Sequence, residues 1–211
     1  MEKPIDSLTG LVSGVELDTE MEKLMERGGE FAYAKVDVDT LFAINRDFGH
    51  DAGDAIFKCV TKHLISVFSP PCTVFRDARD EFDILMPDIS KEEAFLRAEE
   101  ARKLICQDKL DYVSKDGKPM KQTVSIGISS FPDDGNRTAD IVRRADSAMV
   151  RAKKNGRNQV CLAREEKLIP KTSHYTSAQL EKLTVIATKE KTGEAILLRE
   201  ALDDLLKKYD E

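Results

Sequence analysis

No run of apolar residues in this chain is long enough to cross a bilayer, and the charged start Met1-Glu2-Lys3-Pro4 is no signal peptide. Excess positive charge is missing too. Lys and Arg number 33 against 39 Asp and Glu, and the net charge of −6 excludes a general affinity for nucleic acid or anionic membranes. Cysteine is scarce: Cys59, Cys72, Cys106 and Cys161 are widely scattered and lack zinc spacing. They read as reduced, largely buried thiols of a cytoplasmic protein. His50, His63 and His174 form no ligand pattern. What remains is a chain of 211 residues, 41% apolar and 34% charged, with room for one packed domain and a small appendage.

Within it, Arg76-Asp77-Ala78-Arg79-Asp80-Glu81-Phe82 is an acidic turn between the apolar runs 72–75 and 83–86, the pattern of a β-hairpin tip. Such a tip is either a solvated turn or a place where a cation is held. A second acidic cluster bears on the choice. Ala32-Tyr33-Ala34-Lys35-Val36 reads as a strand that runs into Asp37-Val38-Asp39. Strand side chains alternate with period two, so Asp37 and Asp39 share a face. If strand and hairpin are neighbours, Asp37 and Asp80 can share a Mg²⁺, which favours one or two carboxylates with waters and phosphate oxygens completing the octahedron.

Periodicity predicts helices over residues 15–27, 41–48, 52–68, 91–107 and 138–155. Strands are expected over 110–113, 120–129 and 159–162, besides the three already named. Helices mixed with strands on one sheet give an α/β class, an α+β sandwich.

The order of these features resembles the GGDEF domains of diguanylate cyclases over about residues 5–162. Asp6-Ser7-Leu8-Thr9-Gly10-Leu11 is similar to the family's opening D-x-L-T-G-L. Asp37-Val38-Asp39, Ile44-Asn45 and Phe48-Gly49-His50-Asp51-Ala52-Gly53-Asp54 resemble its D-x-D, I-N and F-G-H-x-x-G-D. Ala78-Arg79-Asp80-Glu81-Phe82 occupies the signature, followed by Thr123-Val124-Ser125-Ile126-Gly127-Ile128, Ala145-Asp146-Ser147-Ala148-Met149 and Ala152-Lys153-Lys154-Asn155-Gly156-Arg157-Asn158.

The resemblance implies a ferredoxin-like nucleotide-cyclase palm over residues 1–162, of the kind that joins two GTP into cyclic di-GMP and pyrophosphate. By position, Asp37, Asp80 and the Val38 carbonyl would hold Mg²⁺ or Mn²⁺, with Glu81 the adjacent acid of the signature. Asn45 and Asp54 would meet the guanine edge, and Lys153 and Arg157 the outer phosphates. Spaced i, i+4 across a helix end, Lys153 and Arg157 are expected on one face. Without the family, they would read as a solvated helix terminus.

Departures accompany the matches. The signature's two glycines are Ala78 and Arg79. Glycine is wanted where backbone lies against a nucleotide, and Arg79 either crowds that space or reaches the phosphates itself. The family's phosphate-binding lysine is Phe42, and its Asn-Arg pair is Ser13-Gly14, so an arginine bracing the signature carboxylates is lacking. The tyrosine before A-K is Val150, and Ser69-Pro70-Pro71-Cys72 stands where the product-inhibition motif would be. The expectation is a degenerate domain with little or no cyclase activity that retains guanine-nucleotide binding, for GTP or cyclic di-GMP.

Residues 163–211 form a second module: an extended segment over 168–176, then helices over 178–190, with Ser177 as N-cap, and 194–209. The strand-helix-helix order and Leu198-Arg199-Glu200-Ala201-Leu202 resemble a ribbon-helix-helix domain, which implies a homodimer. That family also reads DNA through its ribbon, here Lys171, Ser173 and Tyr175. Against this, residues 163–211 hold nine Lys or Arg and ten Asp or Glu, without a basic footprint. Three functions are therefore expected in order: a signalling scaffold binding nucleotide or a protein partner, a weak cyclase, and a nucleotide-responsive DNA-binding regulator.

Overall fold

The central strand explains the architecture. The computed structural model describes residues 4–77, 80–114, 117–164, 171–189 and 193–209, and the chain divides into the units Met1–Glu165 and Glu166–Glu211. In the first unit the order is β1 (Val12–Ser13), a 3₁₀ turn (Gly14–Glu16), α1 (Leu17–Glu26), β2 (Phe31–Val38), α2 (Leu41–Phe48) and α3 (His50–Val67). Then come β3 (Thr73–Arg76), β4 (Glu81–Pro87), α4 (Lys91–Gln107), β5 (Val124–Phe131), α5 (Thr138–Lys154) and β6 (Val160–Leu162). The six strands form one sheet in the order β1-β3-β4-β2-β5-β6. β2 runs antiparallel to both neighbours, β4 and β5, and is buried along its whole length.

Alternation along β2 separates two cores. Ala32, Ala34, Val36 and Val38 pack with Ile56, Val60 and Leu64 of α3 and with Ala98, Ala101 and Ile105 of α4. Phe31 and Tyr33 pack with Leu17 and Met21 of α1 and with Ile141 and Ala145 of α5. Lys35 and Asp37 continue the Phe31–Tyr33 side of the strand, so the period that builds this core also carries two charges into it.

α5 lies close enough to β5 that residue 127 must lack a side chain. A Cβ on Gly127 would collide with the Ala145 carbonyl and the Met149 amide. Gly127 stands opposite Lys35 in the ladder, so this close approach sets the distance between α5 and the charged end of β2.

The expected helices form with small shifts at their ends, and α4 begins behind Ser90, whose side chain accepts from the Glu93 amide. Residues 110–113 do not make the expected strand. Only an isolated bridge joins Val113 to Pro119, because the pairing stops after one residue pair. Of the cysteines, Cys59 and Cys72 are buried, but Cys106 is exposed and Cys161 half-buried. Burial, helped by the Asp108 charge, pushes the Cys59 thiol up to about 12.

The second unit contains α6 (Ser177–Lys189) and α7 (Glu194–Tyr209). Thr176, not Ser177, caps α6. Its hydroxyl accepts from the Gln179 amide at 3.3 Å while Gln179 Oε1 accepts from the Thr176 amide at 2.9 Å, a reciprocal capping box. Lys171, Ser173 and Tyr175 are exposed in a stretch, residues 171–176, with no strand. A lone chain offers that segment no pairing partner among the described residues, and residues 168–170 lie outside them. Among the described residues of the two helices Ala187 is buried, while Val185, Ile186, Leu202, Leu205 and Leu206 are exposed.

Candidate active site

Asp37, Val38, Asp80 and Glu81 come together as the sequence suggests, and the sheet register is the reason. Asp37 pairs with Glu81 across the β2–β4 ladder, and the Val38 amide donates to the Asp80 carbonyl at 3.1 Å. The hairpin tip therefore folds against the C-terminal end of β2. Ala78 and Arg79, on which the expected crowding rests, lie outside the described residues.

The two acids of Asp37-Val38-Asp39 have different fates. Both are buried. Asp39 accepts from Thr123 Oγ1 and Ser125 Oγ at 2.7 Å each and from the Asn158 amide at 3.0 Å. These bonds use Asp39 to tie β2 to β5 and to the turn after α5. Asp37 has a single ion-pair contact of another kind: Lys153 Nζ lies 2.7 Å from its Oδ2. Burial pushes the Asp37 carboxyl up to about 7, against the Lys153 hydrogen bond and charge, and Asp80 and Glu81 add to the rise.

Lys153 and Arg157 do not share a helical face. α5 ends at Lys154, and Gly156, Arg157 and Asn158 all take positive φ, so the chain reverses before Arg157. That turn is what points the Asn158 amide at Asp39. Lys153 reaches the acids of the site, and Arg157 is exposed.

The guanine-edge candidates sit on the other flank. Asn45 is half-buried on α2 with its Oδ1 buried and without a hydrogen-bond partner among the described residues. Gly53 makes that position reachable, since a Cβ there would collide with Asn45 Oδ1. Asp54, next to Gly53 on α3, is exposed. An orphaned buried acceptor beside a glycine whose added Cβ would press on it fits a donor-bearing ligand edge, because leaving such an atom unpaired is costly. Phe42, which stands where the resemblance expects a phosphate-binding lysine, is 83% exposed in the first turn of α2.

Lys35 is the residue that sequence reading missed. It is 5% exposed, yet its Nζ lies 2.6 Å from Asp77 Oδ2, 3.0 Å from Glu81 Oε2 and 3.1 Å from Asp83 Oδ1. Burial opposes its charge, but Asp83, Glu81 and Asp77 outweigh it and hold the ammonium protonated far beyond its ordinary range. Tyr33 donates its hydroxyl to Asp83 at 2.5 Å. Residue 14 brings no cation to these acids, and Lys35 of β2 is the cation that meets them. Gly14 itself packs against Asp77, where a Cβ would stand 3.1 Å from Asp77 Oδ1. Arg76 closes the hairpin from the other side, donating to the Asp77 and Glu81 carbonyls at 2.9 and 2.6 Å. Its guanidinium stacks 4.2 Å from the Phe57 ring centroid and 4.8 Å from that of Phe82. One signal was available: a lysine at period two with Phe31, Tyr33 and Asp37 must be buried, and buried lysines are paired.

The oxygen donors Asp37, Asp80 and the Val38 carbonyl suit a hard cation such as Mg²⁺. Lys153 Nζ, 2.7 Å from Asp37 Oδ2, supplies the positive charge beside these donors.

Comparison with known proteins agrees with this geometry. The family model described as "Diguanylate cyclase, GGDEF domain" matches residues 4–159. Diguanylate cyclase A of Treponema denticola is 36% identical over 129 residues, 61% of this chain and 34% of that protein. Cyclic di-GMP phosphodiesterase NbdA of Pseudomonas aeruginosa is 31% identical over 157 residues, 72% of this chain and 20% of that protein. Among solved structures, the GGDEF domain of DgcB from Caulobacter crescentus in complex with c-di-GMP superposes with a TM-score of 0.67 at 26% identity, covering 77% of this chain and 97% of that one. The chain spans between a fifth and a third of the length of these two curated relatives.

Proposed function

This chain belongs to the GGDEF family, and from that premise we propose that it is a guanine-nucleotide-binding domain of cyclic di-GMP signalling with little or no cyclase activity. One contrast carries the reading. The base flank keeps an unpartnered buried acceptor at Asn45 beside Gly53 and Asp54, whereas the phosphate flank presents an exposed Phe42 where a cation would serve.

Catalysis would need more than binding. A 3′-hydroxyl must be deprotonated and aimed at an α-phosphorus while charge on the departing pyrophosphate is balanced. Mg²⁺ or Mn²⁺ held by Asp37, Asp80 and the Val38 carbonyl would supply Lewis acidity for that step. The chain's own contribution is positional. Lys35 and Arg76 fix the hairpin that carries Asp80 and Glu81, and Lys153 neutralises Asp37 until a dication does. With Phe42 contributing no charge, Lys153 paired to Asp37 and Arg157 beyond the reversal after α5, the triphosphate gains little from the protein's own cations, and GTP has small advantage over GMP.

Calorimetry with GMP, GDP, GTP and cyclic di-GMP, with and without Mg²⁺, tests the reading alongside a GTP turnover assay. The expected result is affinity for GMP and GTP within about threefold of each other, less than 1 kcal/mol, and no accumulation of cyclic di-GMP. Robust conversion of GTP to cyclic di-GMP would establish the second reading instead, an active diguanylate cyclase. The observation favouring that reading is the Lys35 brace, which preserves the signature hairpin although residue 14 is glycine.

The second unit acts in this proposal as a homodimerisation module. Its two helices expose Leu202, Leu205 and Leu206 on α7 and Val185 and Ile186 on α6, and a second copy of the same stripes covers them. Light scattering should give a dimer for the full chain and a monomer for Leu202→Asp/Leu206→Asp. Nothing observed supports DNA as a partner of Lys171, Ser173 and Tyr175.

A further inference from the structure

One cluster of softer donors stands apart from the acidic site, on the side of the sheet covered by α3 and α4. Cys59 and His63 are one helical turn apart on α3, an 18-residue helix, and Asp108 is the C-cap of α4. Asp108 Oδ2 lies 3.6 Å from Cys59 Sγ and 2.7 Å from His63 Nε2, and the three donor atoms lie within 4.8 Å of one another. From these positions we infer that Cys59, His63 and Asp108 form a zinc site, with water as the fourth ligand.

The two separations to Asp108 need little adjustment, and Cys59 Sγ and His63 Nε2 start within 4.8 Å of each other. Zinc bonds of ~2.3 Å to sulfur and ~2.0–2.1 Å to nitrogen or oxygen, spread tetrahedrally, set the donors ~3.3–3.6 Å apart. The Cys59–Asp108 separation already falls there. The His63–Asp108 separation must open by ~0.6 Å, which exchanging a shared proton for a metal accomplishes.

The supports are rigid. The Asp108 amide donates to the Leu104 carbonyl at 3.0 Å, and Gln122 Nε2 donates to the Ile105 and Asp108 carbonyls at 3.0 and 2.6 Å. Among the described residues the competitor is Lys62, whose Nζ lies 3.2 Å from Asp108 Oδ2. Its side chain is 69% exposed and can swing into water.

A thiolate–imidazole–carboxylate set selects Zn²⁺ or Co²⁺ over Mg²⁺, which sets it apart from the oxygen donors around Asp37. Occupied, it would staple α3 to the connection between α4 and β5. The sequence hides this because Cys59 and His63 are only a pair, and the third ligand is 45 residues beyond His63.

Cobalt reports sulfur ligation directly, independently of any nucleotide activity. The full chain carrying Cys106→Ser and Cys161→Ser, stripped with chelator, is titrated with Co²⁺ in excess Mg²⁺. The expected outcome is one equivalent of Co²⁺ with a thiolate-to-metal charge-transfer band and tetrahedral d–d bands, both removed by Zn²⁺. Cys59→Ser should lose the charge-transfer band, and His63→Ala should weaken binding by at least about tenfold. Zinc should raise the melting temperature of the parent but not of Cys59→Ser. Absence of the band in the parent, or an unchanged band in Cys59→Ser, overturns the inference. Should Cys59→Ser fail to fold, Asp108→Ala and His63→Ala decide in its place: retained one-to-one sulfur-ligated cobalt at parental affinity in both overturns it equally.

Discussion

Lys35 stands directly opposite Asp83 across the β2–β4 ladder, with its Nζ 3.1 Å from Asp83 Oδ1 and within reach of Asp77 and Glu81 as well. A buried ammonium shared by three carboxylates is balanced only while it is present. Lys35→Met should leave Asp83, which is 1% exposed, without its charge partner. Stability should fall by roughly 3–5 kcal/mol, the range for removing one member of a buried ion pair. Urea denaturation monitored by circular dichroism measures this. Asp77→Asn, at a side chain 36% exposed, should cost under ~1 kcal/mol. Equal losses in the two variants would refute the brace.

Asp37 sets a pH dependence. Burial pushes its carboxyl up to about 7 in the folded protein, from an ordinary value of 3.8. Between those values the folded state holds a proton that the unfolded chain has released. Stability contributed at this position therefore falls as pH rises from about 4 to about 7 and is level above that. Asp37→Asn removes the slope. Its stability relative to the parent should grow across that window by an amount on the order of a few kcal/mol, read from urea midpoints at a series of pH values. A constant difference would show that Lys153 keeps Asp37 ionised throughout.

Gly127→Ala tests the contact between α5 and β5. The added methyl meets the Ala145 carbonyl and Met149 amide, both backbone atoms that cannot rotate away. The expected cost is ~3 kcal/mol, the upper range for overpacking. Because α5 also delivers Lys153 to Asp37, the pH slope of the preceding experiment should change in the same variant. A melting temperature equal to that of the parent would mean that α5 is not held against β5.

Phe42→Lys tests the depleted phosphate flank. Phe42 is 83% exposed, so the substitution should shift stability by no more than ~0.5 kcal/mol. Affinity for GTP should rise about tenfold, near 1.4 kcal/mol, with affinity for GMP unchanged. Combining it with Arg79→Gly asks whether turnover returns. Equal gains for GMP and GTP would show that residue 42 does not face the phosphates.

Much of the fold was legible because its signals are local. The period of α4 and the alternation along β2 are read within a few residues of one another. Asp37, Asp80 and Glu81 were legible as neighbours because a strand end and a hairpin tip on adjacent strands meet by register. The segment 110–113 misled because apolar content favours a strand but pairing decides one, and its partner offers a single bridge. The i, i+4 spacing of Lys153 and Arg157 misled for a related reason. Spacing implies a shared face only while the helix continues, and Gly156 ends it.

By itself the sequence determined the helices, most of the sheet strands, the order of the motifs and the family, since each depends on residues close in the chain. Tertiary structure alone decided which charges meet: Lys35 with Asp83, 48 positions apart, Lys153 with Asp37, and Asp108 with Cys59 and His63. Charge pairing across a sheet depends on strand order and register, quantities fixed by the burial of every strand at once, and no local pattern encodes them.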